Sequence, residues 1–139
     1  MCAGLFNSSS ETSARLLMAL PIIDRPASLD EITAIDLVAT YMQFFGYGDR
    51  NIHGDNEFAL AEYDARRARV EAGLKRLVRS GYALSNKQAT SFTAAESATD
   101  QQTLLDGSFA DEYRTAVKTL VEQQLIGVLV QRTTQGAAQ

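Results

Sequence analysis

Cysteine and histidine are almost missing from this sequence: Cys2 and His53 are the only ones in 139 residues. A lone cysteine closes no internal disulfide, which points to a reducing, cytosolic setting. A zinc site needs about four N, S or O ligands at suitable spacing, and no such set is present. No run of about 18 or more apolar residues occurs, so no membrane-spanning helix is expected. Met1 to Ser10 lacks the basic-then-apolar order of a secretory signal. Gly46, Gly48 and Gly54 follow no strand and fit no phosphate-loop spacing, which argues against nucleotide binding and leaves no cofactor implied. No carboxylate pair stands in an acid/base arrangement, and there is no internal repeat or low-complexity tract. Nothing reads as an active site, so the chain is not expected to be an enzyme.

What is present suits one packed domain. The apolar fraction is 45%, enough for a core, and the length fits the roughly 100–150 residues of a typical domain. The net charge is −4, but it is unevenly placed. Residues 1–57 hold 3 basic and 8 acidic side chains, residues 58–87 hold 7 and 3, and residues 88–139 hold 3 and 6. A purely electrostatic DNA binder would be basic throughout. This polarity fits a protein that meets differently charged partners on different faces.

Residues 1–10 read as a flexible lead-in. Thr12 to Leu20 is a short helix with Leu16, Leu17 and Leu20 on one side, which Pro21 either kinks or ends. Ser28-Leu29-Asp30-Glu31 is a capping box that opens an amphipathic helix. Its apolar stripe of Leu29, Ile32, Ile35, Val38 or Ala39, Met42 and Phe45 runs up to a stop at Gly46. After the link Asn51-Ile52-His53-Gly54-Asp55-Asn56, a second long helix starts between Glu57 and Glu62 and runs to Ser80, with Gly81 as its cap. Tyr63, Val70, Leu74, Leu77 and Val78 form its buried stripe. Tyr82–Ser85 and Thr90–Thr93 make a short hairpin around Asn86-Lys87-Gln88. A helix follows over about 97–105, then one capped by Ser108 that carries Phe109, Tyr113, Ala116, Val117 and Leu120. The apolar run from Leu125 to Val130 suits either a helix or a strand. The expected fold is mainly α: a winged-helix-like domain over 11–95 with a short β-hairpin wing, then a helical extension over 96–139.

Four groups of residues stand out. Arg69, Lys75, Arg76 and Arg79 lie opposite the buried stripe, with Ala65, Ala68 and Ala72 between them, a surface that another backbone can approach. Arg66 and Arg67 border the stripe and suit internal ion pairs, with Asp36, Asp55 and Glu62 as candidate partners. His53 and Asp55 suit folding the link, with Asp55 or Asn56 capping the next helix. Leu125, Ile126, Val128 and Leu129 form a candidate docking segment.

The run from Ser28 through Asp36, the Asn-Ile-His-Gly-Asp-Asn link, Glu62, Arg66-Arg67, Val70, Leu74, Leu77 and Gly81 resembles the middle component of bacterial ABC-three-component systems, among them the small subunit of Lamassu-type defence complexes. The similarity covers roughly residues 12–95, with a looser echo at Tyr113-Arg114. Pro21 and the Leu125–Val130 run depart from it. The resemblance implies a non-enzymatic, cytoplasmic adaptor that joins an SMC-like ABC ATPase to an effector subunit, often a nuclease, with a possible DNA contact inside the complex. The rival readings are a winged-helix transcription regulator and an enzyme that uses His53.

Overall fold

In the computed structural model, residues 9–54, 58–101 and 105–138 are described. Helices dominate: α1 (Ser9–Ile23), α2 (Leu29–Thr40), α3 (Met42–Phe45), α4 (Tyr63–Arg79), α5 (Glu96–Asp100), α6 (Ser108–Glu122) and α7 (Ile126–Ala138). Three short strands, β1 (Ala27–Ser28), β2 (Ala83–Ser85) and β3 (Ser91–Ala94), form an antiparallel sheet in the order β1-β3-β2. The hairpin is therefore present, and the two residues before α2 add a third strand to it. Its tip is held by Asn86, whose Oδ1 accepts from the Thr90 and Ser91 amides at 2.7 and 3.1 Å.

The capping box forms as the sequence implies. Ser28 Oγ accepts from the Glu31 amide at 3.1 Å, and the Glu31 carboxylate accepts from the Ser28 amide at 2.9 Å. From Ile32 to Thr40 every residue of α2 is buried. An amphipathic helix was expected; instead α2 is covered on all sides, because α4, α6 and α7 all pack on it. One hydrophobic core runs from Leu16 in α1 to Leu129 in α7.

The helix expected over Leu29–Phe45 breaks at Tyr41 (φ −133°, ψ 46°) into α2 and α3. The link causes the break by competition. The His53 amide donates to the Thr40 carbonyl at 3.1 Å, and the Asn51 side-chain oxygen accepts from the Phe44 amide at 3.0 Å. Thr40 and Phe44 are the pair that would have bonded to each other in an unbroken helix. Gly46 (φ 85°) and Gly81 (φ 83°) follow the ends of α3 and α4 in the left-handed conformation that glycine adopts without strain.

Two open alternatives resolve, at Pro21 and at Leu125–Val130, and one expectation, the cap at Ser108, needs correction. Pro21 does not end α1, which continues to Ile23, because a proline near a helix end removes only one backbone donor. Gly107, not Ser108, occupies the N-cap of α6. The Leu125–Val130 run is helical, Leu125 directly preceding α7 and Ile126–Val130 opening it, with the Leu129 amide bonded to the Leu125 carbonyl at 2.8 Å.

Candidate functional site

The most concentrated chemistry lies inside the fold. Asp36 stands in the middle of α2 between Ile35 and Leu37, and its side chain is only 1% exposed. Its carboxylate accepts four side-chain hydrogen bonds. They come from Arg15 Nε (2.8 Å) and Nη2 (3.1 Å), Arg66 Nη1 (2.9 Å) and Tyr113 Oη (2.7 Å). Four helices thus meet at one carboxylate: α1, α2, α4 and α6. Two more carboxylates close the outer side, Glu11 on Arg15 and Glu62 on Arg66, the latter at 2.6 Å. Arg66 Nη1 also donates to Thr40 Oγ1 at 3.0 Å.

Burial alone would raise the Asp36 carboxyl, but the Arg15 and Arg66 charges and the bonds from Arg15 and Tyr113 outweigh it and hold the group well below the usual carboxylate range. Burial likewise opposes the charge on Arg66, and Asp36 and Glu62 overcome it, so the guanidinium is held more firmly protonated than usual. The Tyr113 phenol is pushed well above its ordinary value by burial and by the Asp36 charge. These ionisation states are locked near neutral pH, which is the behaviour of a structural cluster rather than of groups that exchange protons.

His53 borders this cluster. Its ring lies edge-on to Tyr41 (5.7 Å) and stacks on Phe109 (6.4 Å, 10°). Arg66 Nη2 lies 3.2 Å from Nδ1. A guanidinium can only donate, so Nδ1 accepts and the neutral ring carries its proton on Nε2. Burial first, then the charges of Arg66 and Arg15, push the imidazole down to about 3. A ring so hard to protonate, with Nδ1 engaged, is poorly suited to act as a general base at pH 7. Among the described residues no group of three or more His, Cys, Asp or Glu is placed to hold a metal ion.

The remaining expected residues separate into distinct places. Arg67 does not join the internal cluster. Its Nε donates to Asp30 at 2.9 Å with both side chains over 40% exposed, and Tyr63 Oη donates to the same carboxylate at 2.6 Å. Asp55 and Asn56 lie outside the described residues. Arg69 is half-buried, and its Nε is buried with no hydrogen-bond partner among the described residues. Burial, then the neighbouring Arg66 charge, lowers its pKa. Lys75, Arg76 and Arg79 are exposed, and none pairs with a described acidic residue. The cationic face expected from four residues is therefore made by three.

The apolar tail is largely committed to the chain itself. Leu129 is fully buried, Ile126 is 8% exposed and Leu125 is half-buried, all packed with the core, and only Val128 faces out. As a docking segment it is reduced to that one side chain, because the other face of α7 covers α2 and the 3-10 turn Ala59–Glu62.

Sequence reasoning named Asp36, Glu62 and Arg66 but missed Arg15, and gave Tyr113 only an apolar role. The available signal was Asp36 itself, a carboxylate inside the run Ile35–Ala39, which needs buried cations. Which cation answers it depends on how α1 crosses α2, and periodicity does not carry that.

Two surface grooves complete the geometry. One, of about 500 Å³, lies between α4 and the hairpin over Leu29, Val78 and Phe92, with Glu71, Lys75 and Arg79 on its rim. The other, of about 550 Å³, lies between α6 and the stretch after α3, over Met42, Ile52 and Ala116, with Asp49, Asp111 and Glu112 along it. Arg50 in the second groove is paired with Glu112 at 2.8 Å. Among the described residues, no helix is long and apolar enough to cross a membrane.

No curated protein and no solved structure matches this chain. The family described as ABC-three component (ABC-3C) system Middle Component 2 does, over residues 5–126. That span contains the link, the Asp36 cluster, the basic helix and the hairpin, and the chain belongs to this family, as a component of an ABC-three-component system.

Proposed function

We propose that the chain is a non-enzymatic adaptor that holds an SMC-like ABC ATPase and an effector subunit, often nuclease-like, in one cytoplasmic complex directed against phage or plasmid DNA, as in Lamassu-type systems. The observation that carries the reading is the pair of grooves of opposite sign. One has Lys75 and Arg79 against Glu71, the other Asp49, Asp111 and Glu112 against Arg50, and both have apolar floors. Opposite charge on separate surfaces allows one small subunit to discriminate two partners and exclude each from the other's place. The locked Asp36 cluster supports the reading from another side, because a rigid body joined at one carboxylate suits holding partners in fixed relation.

Co-expression with the other two components tests it. Asp49→Lys with Asp111→Lys is expected to release one partner, and Lys75→Glu with Arg79→Glu the other. Loss of neither partner from either variant would refute the two-surface adaptor. A second reading, a winged-helix transcription regulator, is favoured by the order α1-β1-α2-α3-α4-β2-β3, in which the short α3 is an addition. It requires the isolated chain to be a dimer that shifts a specific duplex at moderate salt.

A further inference from the structure

We infer that the groove between α4 and the hairpin receives an acidic, partly apolar segment of a partner subunit, and not nucleic acid. The inference rests on the adaptor reading and specifies the occupant of one of its two surfaces.

Four features of the groove define that occupant. Its floor is apolar, made by Leu29, Val78 and the nearly buried Phe92. Its two rim cations, Lys75 and Arg79, are exposed and make no ion pair with a described residue, Glu71 being the one carboxylate in the lining, so an incoming acidic group meets two cations at the Arg79 end of the groove. Its far wall, at Ser85, Gln88 and Ala89, belongs to a turn already fixed by Asn86, so the groove exists before anything binds. With Lys75 and Arg79 against Glu71 its lining carries +1, opposite in sign to the −4 of the whole chain.

Duplex DNA fits these features poorly. A helix that reads DNA presents its N-terminal residues to the base edges, and the exposed face of α4 there carries Asp64, Ala65, Ala68 and Glu71. The cations sit toward its C-terminal end, with Arg76 and Arg79 in the last turn. The hairpin tip adds only Lys87. Affinity for duplex DNA rests largely on cations that neutralise phosphates, and this face offers only Lys75, Arg76, Arg79 and Lys87 on an acidic protein. A phosphate backbone also has no use for an apolar floor. A peptide that places leucine- or phenylalanine-type side chains over Phe92, and carboxylates beside Lys75 and Arg79, satisfies both floor and rim.

The test uses the full chain in the complex with its two partner components, with Gln88 replaced by the photo-crosslinker p-benzoylphenylalanine. Irradiation is expected to join position 88 to a protein segment in which Asp or Glu alternates with apolar residues. The Lys75→Glu, Arg79→Glu variant should lower the crosslink yield at least tenfold at an unchanged melting temperature, and Lys75→Arg with Arg79→Lys should keep it. A crosslink to DNA, to a second copy of this chain or to a segment without acidic residues would overturn the inference. So would an intact complex that yields no crosslink, which would leave the adaptor reading standing. If no complex forms with the unaltered chain, the adaptor reading fails first and the groove assignment with it.

Discussion

Asp36→Asn isolates the role of the buried cluster. Asparagine keeps the size of the side chain but removes the only charge shared by Arg15 and Arg66, and it turns an acceptor into a donor facing other donors. Breaking a buried ion pair by removing one partner costs about 3–5 kcal/mol. Here Glu11 and Glu62 still contact the two arginines from the outer side, 16% and 19% exposed, so the lower end applies. A loss of about 3 kcal/mol is a large share of the 5–15 kcal/mol that holds a typical domain together. At about 3–4 °C per kcal/mol for a chain of this size, the melting temperature should fall by about 10 °C. The pH dependence gives an independent check. Asp36 is held below its ordinary value in the folded state, so its contribution is complete above the unfolded carboxyl value and drains away as pH falls below about 4. Thermal and urea unfolding at pH 7, and across pH 2–5, measure both effects. A destabilisation under about 1 kcal/mol, or an acid slope identical in the two proteins, would show that the carboxylate is not what ties the four helices together.

Other variants probe neighbouring parts of the account. His53 stays neutral when folded, with a value near 3, whereas the unfolded chain binds a proton near 6.5. Lowering the pH from 7 to 5 should therefore remove about 2 kcal/mol of stability; urea titrations of the His53→Gln variant should lack that slope, and a retained slope would assign it elsewhere. Tyr113→Phe removes a 2.7 Å bond to a charged acceptor and should cost about 1.5–3 kcal/mol by urea unfolding. Gly73 lets α1 lie close on α4, since a Cβ there would stand 2.9 Å from Leu16 Cδ1, so Gly73→Val should cost about 1–3 kcal/mol by thermal melting despite a better helix residue. Lys75→Glu with Arg79→Glu should change stability by less than about 0.5 kcal/mol per site, because both side chains are exposed, while weakening partner binding in pull-downs.

Elements with local causes were legible in the sequence. The capping box at Ser28, the glycines that follow α3 and α4, and the buried stripe of α4 all follow from spacing and backbone preference. The break at Tyr41 was not legible, since it arises when residues 51 and 53 take the hydrogen bonds that Thr40 and Phe44 would have shared. The surroundings of α2 were hidden for the same reason: α7 covers it from nearly a hundred residues away, and its hydrophobic run therefore read as a spare docking segment. Of the site, Arg66 could be read as internal because it borders the stripe of α4. Arg67, one residue on, turns outward to Asp30, a pairing across helices that one-dimensional spacing does not reveal.

As an adaptor, this chain is proposed to hold two partner subunits together. Native mass spectrometry of the three components expressed together tests it most directly. A single assembly containing all three is expected, which falls apart into separate partners when this chain is omitted. An ATPase and effector that assemble equally well without it, or a chain that remains a lone monomer in their presence, would contradict it.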